Sequence, residues 1–149
     1  MTKNTELDFD FNELALEETS KLHLAHPKDD GTMLYAPVAK GQPEDSRPVE
    51  LNVYGPASPQ FRKAMDVMHK KTAKRGKREA TAEESREQSV EFLVAVSIDF
   101  SNIKFDGEVV DNAEAFRKLY SNPKYEWVTK QATAFLFTDS NFLVVPKSS

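Results

Sequence analysis

Cysteine is absent from the 149-residue chain, which excludes a disulfide framework, a thiol nucleophile and cysteine-ligated zinc. Long apolar runs are missing too. No segment approaches the roughly 18 consecutive apolar residues that span a bilayer, and the opening MTKNTELDFD lacks the basic and then apolar layout of a signal peptide. The expected location is therefore the cytoplasm. The sequence offers no phosphate loop, nucleophile–base pair or metal-ligand spacing, so the expectation is a protein that is not an enzyme, with no catalytic residue, cofactor or metal. Excess positive charge is lacking as well. A net charge of −4 argues against a surface built as a whole for nucleic acid. Apolar residues reach only 39% beside 30% charged residues. That is modest core material, so some apolar surface is expected to be reserved for a partner.

What is present reads as α+β, in a single compact domain. A small amino-terminal antiparallel sheet of about three strands is expected to lead into a bundle of about four helices. Residues 1–18 form an acidic arm in which Glu6, Asp8, Asp10, Glu13, Glu17 and Glu18 alternate with Leu7, Phe9, Phe11, Leu14 and Leu16. Its periodicity fits either strand or helix. Residues 19–55 are the sheet region. Lys21–His26 and Thr32–Tyr35 flank a Pro27–Gly31 turn cluster, and Val49–Tyr54 supplies a third strand with Val49, Leu51 and Val53 on its inner face. His23 and His26 differ in parity and make a poor metal pair.

Residues 58–145 are the helical region. Ser58 caps a helix with Pro59 at its first position. Phe61, Ala64, Met65 and Met68 form its stripe, read as core packing with an adaptable methionine-lined groove as the alternative. Next comes a basic patch of Lys70, Lys71, Lys74, Arg75, Lys77 and Arg78, without interleaved aromatics and followed at once by Glu79, Glu83, Glu84, Glu87 and Glu91. Three readings stay open for it: a charge-balanced corner between helices, a site for an acidic partner, or a nucleic-acid contact. Thr81 and Glu84 make a capping box that opens a central helix over roughly 82–100. Asp106-Gly107 marks a tight turn between two short strands. Asp99 and Asp106 lack the cooperating groups for acid–base work.

The last third, Asp111 to Leu143, holds the only Trp and reads as two helices, one capped by Asp111 and one by Asn122 with Pro123 behind it. Phe116, Leu119 and Tyr120 face inward on the first. Trp127, Val128, Ala132 and Phe135 form a stripe on the second, with Gln131 near its middle. A buried amide needs a partner, supplied either by a backbone group or by another protein. Phe142 to Val145 form a final apolar plug. Trp127, Gln131, Phe135 and Phe142 are the candidates for a partner-binding surface; the competing reading has them close the core over the central helix.

The pattern Phe105-Asp106-Gly107-Glu108, Asn112-Ala113, Arg117-Lys118-Leu119-Tyr120, Pro123, Trp127, Gln131 and Asp139 with Asn141-Phe142-Leu143 resembles the carboxy-terminal half of tail assembly chaperones of long-tailed, siphophage-type bacteriophages. Upstream, Leu22 to Pro27, Gly55, Ser58, Phe61 to Ala64 and the basic-then-acidic helix pair follow a similar order. The resemblance spans about Lys21 to Leu143, leaving out the Gly41 to Pro48 loop, and departs from the pattern at Asp99-Phe100, near which such chaperones carry a Trp. It implies a non-catalytic assembly factor in the host cytoplasm that is absent from the mature virion. Its implied partners are the tape measure protein and the tail tube protein, with self-association as a further option, and neither membrane nor nucleic acid among them. Two other functions are weighed against it: a small nucleic-acid-binding adapter working through Lys70 to Arg78, and a structural tail or head-completion protein retained in the virion.

Overall fold

The computed structural model describes residues 8–143. Of the expected features, Glu6 and Leu7 of the arm and Val144 and Val145 of the plug lie outside the described residues. The α+β expectation holds: a three-stranded antiparallel sheet and four helices make up the frame. The elements are β1 (Thr19–His23), β2 (Ala25–His26), β3 (Asp29–Met33), β4 (Glu50–Tyr54), α1 (Pro59–Arg75), α2 (Ala82–Val96), β5 (Ser97–Ser101), β6 (Lys104–Phe105), β7 (Glu108–Val109), α3 (Ala113–Tyr120) and α4 (Glu126–Leu136).

The membership of the main sheet differs from expectation. Its order is β1-β4-β5, while β2 and β3 form a separate two-stranded hairpin. The third strand comes from Ser97–Ser101, which the continuous apolar run from Phe92 had placed inside the central helix. That helix ends at Val96. Ser97 explains the stop: its Oγ donates to Leu93 O at 2.6 Å and lies 2.7 Å from the Tyr120 hydroxyl, and beyond it Ser97-Ile98-Asp99-Phe100-Ser101 can pair with β4. Asn52 pairs with Asp99 and Val53 with Ser97, so Ile98 is the extra residue of a β-bulge. Leu22, Leu51 and Phe100 meet in register on the inner face. On the outer face Asn52 Nδ2 donates to Asp99 Oδ1, which gives that carboxylate a structural task.

Local signals set most remaining elements as expected, but the hairpin is tighter than the Pro27–Gly31 cluster suggested: His26 pairs with Asp29 across Pro27-Lys28, and the returning strand is Asp29–Met33 instead of Thr32–Tyr35. Ser58 Oγ accepts from Phe61 N at 3.1 Å with Pro59 behind it. Thr81 and Glu84 form both bonds of the capping box. Asp106 and Gly107 have successive positive φ values of 52° and 80°, as a two-residue type I′ hairpin turn requires. Two caps move. Asn112, not Asp111, starts α3 by accepting from Ala115 N at 2.9 Å, and Asn122 with Pro123 begins a short 3₁₀ turn that α4 then continues. α2 packs against α1, α3 and α4, so it is the spine of the core. Phe92, Leu93 and Val96 on α2, Phe116, Leu119 and Tyr120 on α3, and Val128, Ala132 and Leu136 on α4 are all buried over the sheet. Phe100, Phe116 and Tyr120 pack as an aromatic trio with centroids 6.2–6.5 Å apart. Burial also pushes the Tyr120 hydroxyl well above its usual pKa, so it stays a neutral hydrogen-bonding group.

Candidate partner-binding surface

The four residues singled out on the last third are drawn inward. Gln131 sits on α4 facing β2, where its side-chain oxygen accepts from Ala25 N and its Nε2 donates to Ala25 O, both at 2.9 Å. The amide pairs with Ala25 as a neighbouring strand residue would, and ties α4 to the hairpin. The partner it needed is therefore backbone. Phe142 is only 1% exposed; its ring packs edge-on to the half-buried Phe135 at 5.5 Å and lies directly over Gly55. A Cβ built on Gly55 would fall 2.3 Å from the Phe142 ring, so glycine is required there by close approach. Phe142 presents no surface in this fold, which corrects its place among the partner-binding candidates. Trp127 is half-buried against the core.

The basic patch divides. Arg78 makes a bidentate pair with Glu84 at 2.7 and 2.9 Å, and those bonds, with help from Thr81 N, hold the Glu84 carboxyl down at about 2. Arg75 Nε donates to Arg78 O across the Gly76 turn. The corner is thus partly charge-balanced, as one of the three readings expects. Among the described residues, Lys70, Lys71, Lys74 and Lys77 have no carboxylate within 4.0 Å. Lys70, Lys71 and Lys74 are exposed on α1 and Lys77 just beyond its end, and Lys71 also lines the groove between α1 and α2.

His23 and His26 serve the hairpin region. His23 Nε2 lies 2.8 Å from Leu34 O with its ring edge-on to Tyr35, and His26 Nδ1 accepts from Lys28 N. Asp106 pairs with Lys118 at 3.5 Å on the surface, apart from the Asn52–Asp99 contact. Among the described residues no three of His, Asp and Glu gather as a ligand set, and no helix is long and apolar enough to cross a membrane.

Several grooves mark the surface, and two of those between helices bear on partner binding. The larger, about 560 Å³, runs between α2, α3 and α4 and is lined by Val90, Tyr120, Pro123 and Ala134 together with hydroxyl residues such as Ser85, Ser89, Thr129 and Thr133. The other, about 380 Å³, lies between α1 and α2 over Ala64, Val67, Met68 and Phe92, with Lys63 and Lys71 at its rim. Val67 is 46% exposed, and Phe137, 54% exposed, stacks on Phe92 at 5.7 Å. The α1 stripe itself packs on the core, with Phe61 and Ala64 buried and Met65 and Met68 partly buried against it; of the methionines only Met68 also lines this groove. Val67 and Phe137 were missed. Val67 lies two residues beyond Met65, a spacing that leaves the stripe, and Phe137 follows Leu136 at a helix end where its direction is undetermined by periodicity.

No family model, curated protein or solved structure is significantly similar to this chain.

Proposed function

We propose that the protein is a siphophage-type tail assembly chaperone that binds the tape measure protein and helps recruit tail tube subunits without catalysis, acting in the host cytoplasm. The observation that carries the reading is the open α1–α2 groove, where Val67 stands in solvent, with the exposed Phe137 stacked on Phe92 of its floor. Large side chains set in a helix-lined groove are what an amphipathic helical client requires, and a lysine rim keeps such a surface soluble between encounters. The residue pattern from Lys21 to Leu143 supports the same reading. Co-expression with the long helical tape measure protein is expected to raise that protein's soluble yield, and Val67→Asp or Phe137→Asp to abolish the gain. An unchanged yield together with an empty pull-down sinks the proposal.

A second reading draws on Lys70, Lys71, Lys74 and Lys77, which pair with no carboxylate among the described residues. If these contact nucleic acid, each phosphate engaged adds about 0.9 to the slope of log affinity against log salt on duplex DNA. Absence of binding to duplex or single-stranded DNA at low salt ends it.

A further inference from the structure

The acidic arm and the α1–α2 groove are both uncovered within one chain, and their chemistries match. From Asp8 to Glu18 the arm carries five carboxylates and no Lys or Arg. Its conformation is local and ordered: Asp10 Oδ1 accepts from Asn12 N at 2.9 Å and starts a 3₁₀ turn over Phe11–Leu14. Phe9 and Phe11 form an edge-on pair with centroids 5.6 Å apart. Among the described residues nothing covers them; Phe9 is 59% exposed and Phe11 84%. The arm is held at its base by Glu17 N donating to Phe142 O at 2.6 Å and by the Leu16–Leu143 bridge. A pinned turn that holds two phenylalanines in water is an anchor without a pocket.

The groove has the opposite character. Its floor is Ala64, Val67, Met68 and Phe92, and its rim carries Lys63 and Lys71, with the one acid, Glu91, taken up by Arg117. Over its whole length α1 carries six Arg and Lys residues against the single acid Asp66. Acidic residues flanking aromatic anchors suit a basic rim around an apolar floor, because the charges steer the encounter and the rings supply the buried area.

We propose that two copies of this chain exchange arms, Phe9 and Phe11 of each seating in the α1–α2 groove of the other. The occupant is a second copy because the chain's own arm leaves its aromatics facing solvent and its own groove empty of them. Reciprocal exchange closes a two-fold pair, the commonest symmetry of soluble homo-oligomers. The contacts are small, so the association is weak, reversible and weakened by salt.

The absence of cysteine makes the test direct. Phe11→Cys and Val67→Cys chains, purified separately, mixed and oxidised, are expected to give a disulfide-linked pair of twice the chain mass. Phe11→Cys mixed with Lys28→Cys, on the far hairpin, is expected to give none. Sedimentation of the wild-type chain is expected to show mass rising with concentration and falling with salt. Phe9→Ser/Phe11→Ser should stay monomeric with an unchanged circular dichroism spectrum, and Lys63→Glu/Lys71→Glu should weaken association about tenfold or more, mostly through lost charge attraction. Three outcomes overturn the proposal: a wild-type chain that is monomeric at every concentration, no cross-link above the Lys28→Cys control, or a Phe11→Cys/Val67→Cys double variant that closes its disulfide within one chain. None of these measurements involves a client, so their failure leaves the chaperone reading separately testable.

Discussion

The α4–hairpin region and the α1–α2 corner begin from similar sequence material and end in opposite states. Both present an amphipathic stripe with large side chains, and the one on α4 carries a polar interruption. At α4 the interruption, Gln131, finds the Ala25 backbone, and Phe142 finds the gap that Gly55 leaves, so the stripe closes the fold. At α1 the stripe is covered, but the groove beside it is not. Phe61 and Ala64 are buried, but Val67 and the neighbouring Phe137 remain in water. An aromatic-rich stripe is therefore no guide to an interface by itself. What separates the two is whether another element arrives with matching backbone groups and space.

Substitutions should break this contrast in a graded way. The largest effect is expected at Phe142, where truncation to Ala removes a fully buried ring and leaves a cavity, costing about 3–5 kcal/mol by denaturant unfolding. Gly55→Ala attacks the same contact from the other side; overpacking typically costs about 1–3 kcal/mol, and partial recovery in a Gly55→Ala/Phe142→Leu double variant would show that the two residues are coupled. Gln131→Leu strands the Ala25 N–H and C=O, and an unsatisfied buried group costs about 1–3 kcal/mol; faster hydrogen exchange at Ala25 and an unchanged α1 would place the damage at the hairpin. Val67→Asp, at the other region, should alter stability by under about 0.5 kcal/mol while removing partner binding, measured by pull-down beside a thermal melt. If Val67→Asp unfolds the chain, the contrast between the regions fails.

The smallest effect concerns acid. Arg78 holds the Glu84 carboxyl from its ordinary 4.5 down to about 2, and Arg117 lowers Glu91 in the same direction. A carboxyl whose folded-state pKa is depressed stabilises the fold above its unfolded value, and that stabilisation fades as pH falls towards the folded value. Both ion pairs are solvent-exposed, so each is worth little. Glu84→Gln should slightly flatten the loss of stability between pH 4.5 and about 2, read by acid titration of the unfolding midpoint.

Helix starts and tight turns were legible in the sequence because their causes are local. Ser58-Pro59, Thr81 with Glu84, and Asp106-Gly107 each satisfy backbone groups within a few residues. Where two neighbours could serve, the choice was not legible: Asp111 and Asn112 are both competent caps, and Asn112 takes the role while Asp111 accepts a hydrogen bond from its amide at 3.2 Å. The candidate surface was legible only in part. The α1 stripe and its lysines could be read from spacing, but the exposure of Phe137 depends on how α4 ends against Phe61 and Phe92.

The sequence by itself determined the α+β class, the caps of α1 and α2, the inward face of β4 and the acidic and basic segments that face solvent. These follow from periodicity, capping chemistry and charge, which act over one or two turns of chain. Only the tertiary structure decided that Ser97–Ser101 leaves the central helix to become the third strand, that Gln131 pairs with Ala25, and that Phe142 is core while Val67 and Phe137 are surface. Each of those outcomes depends on a backbone or a space supplied by residues tens of positions away, and a hydrophobic or amide side chain carries no mark of which distant partner will reach it.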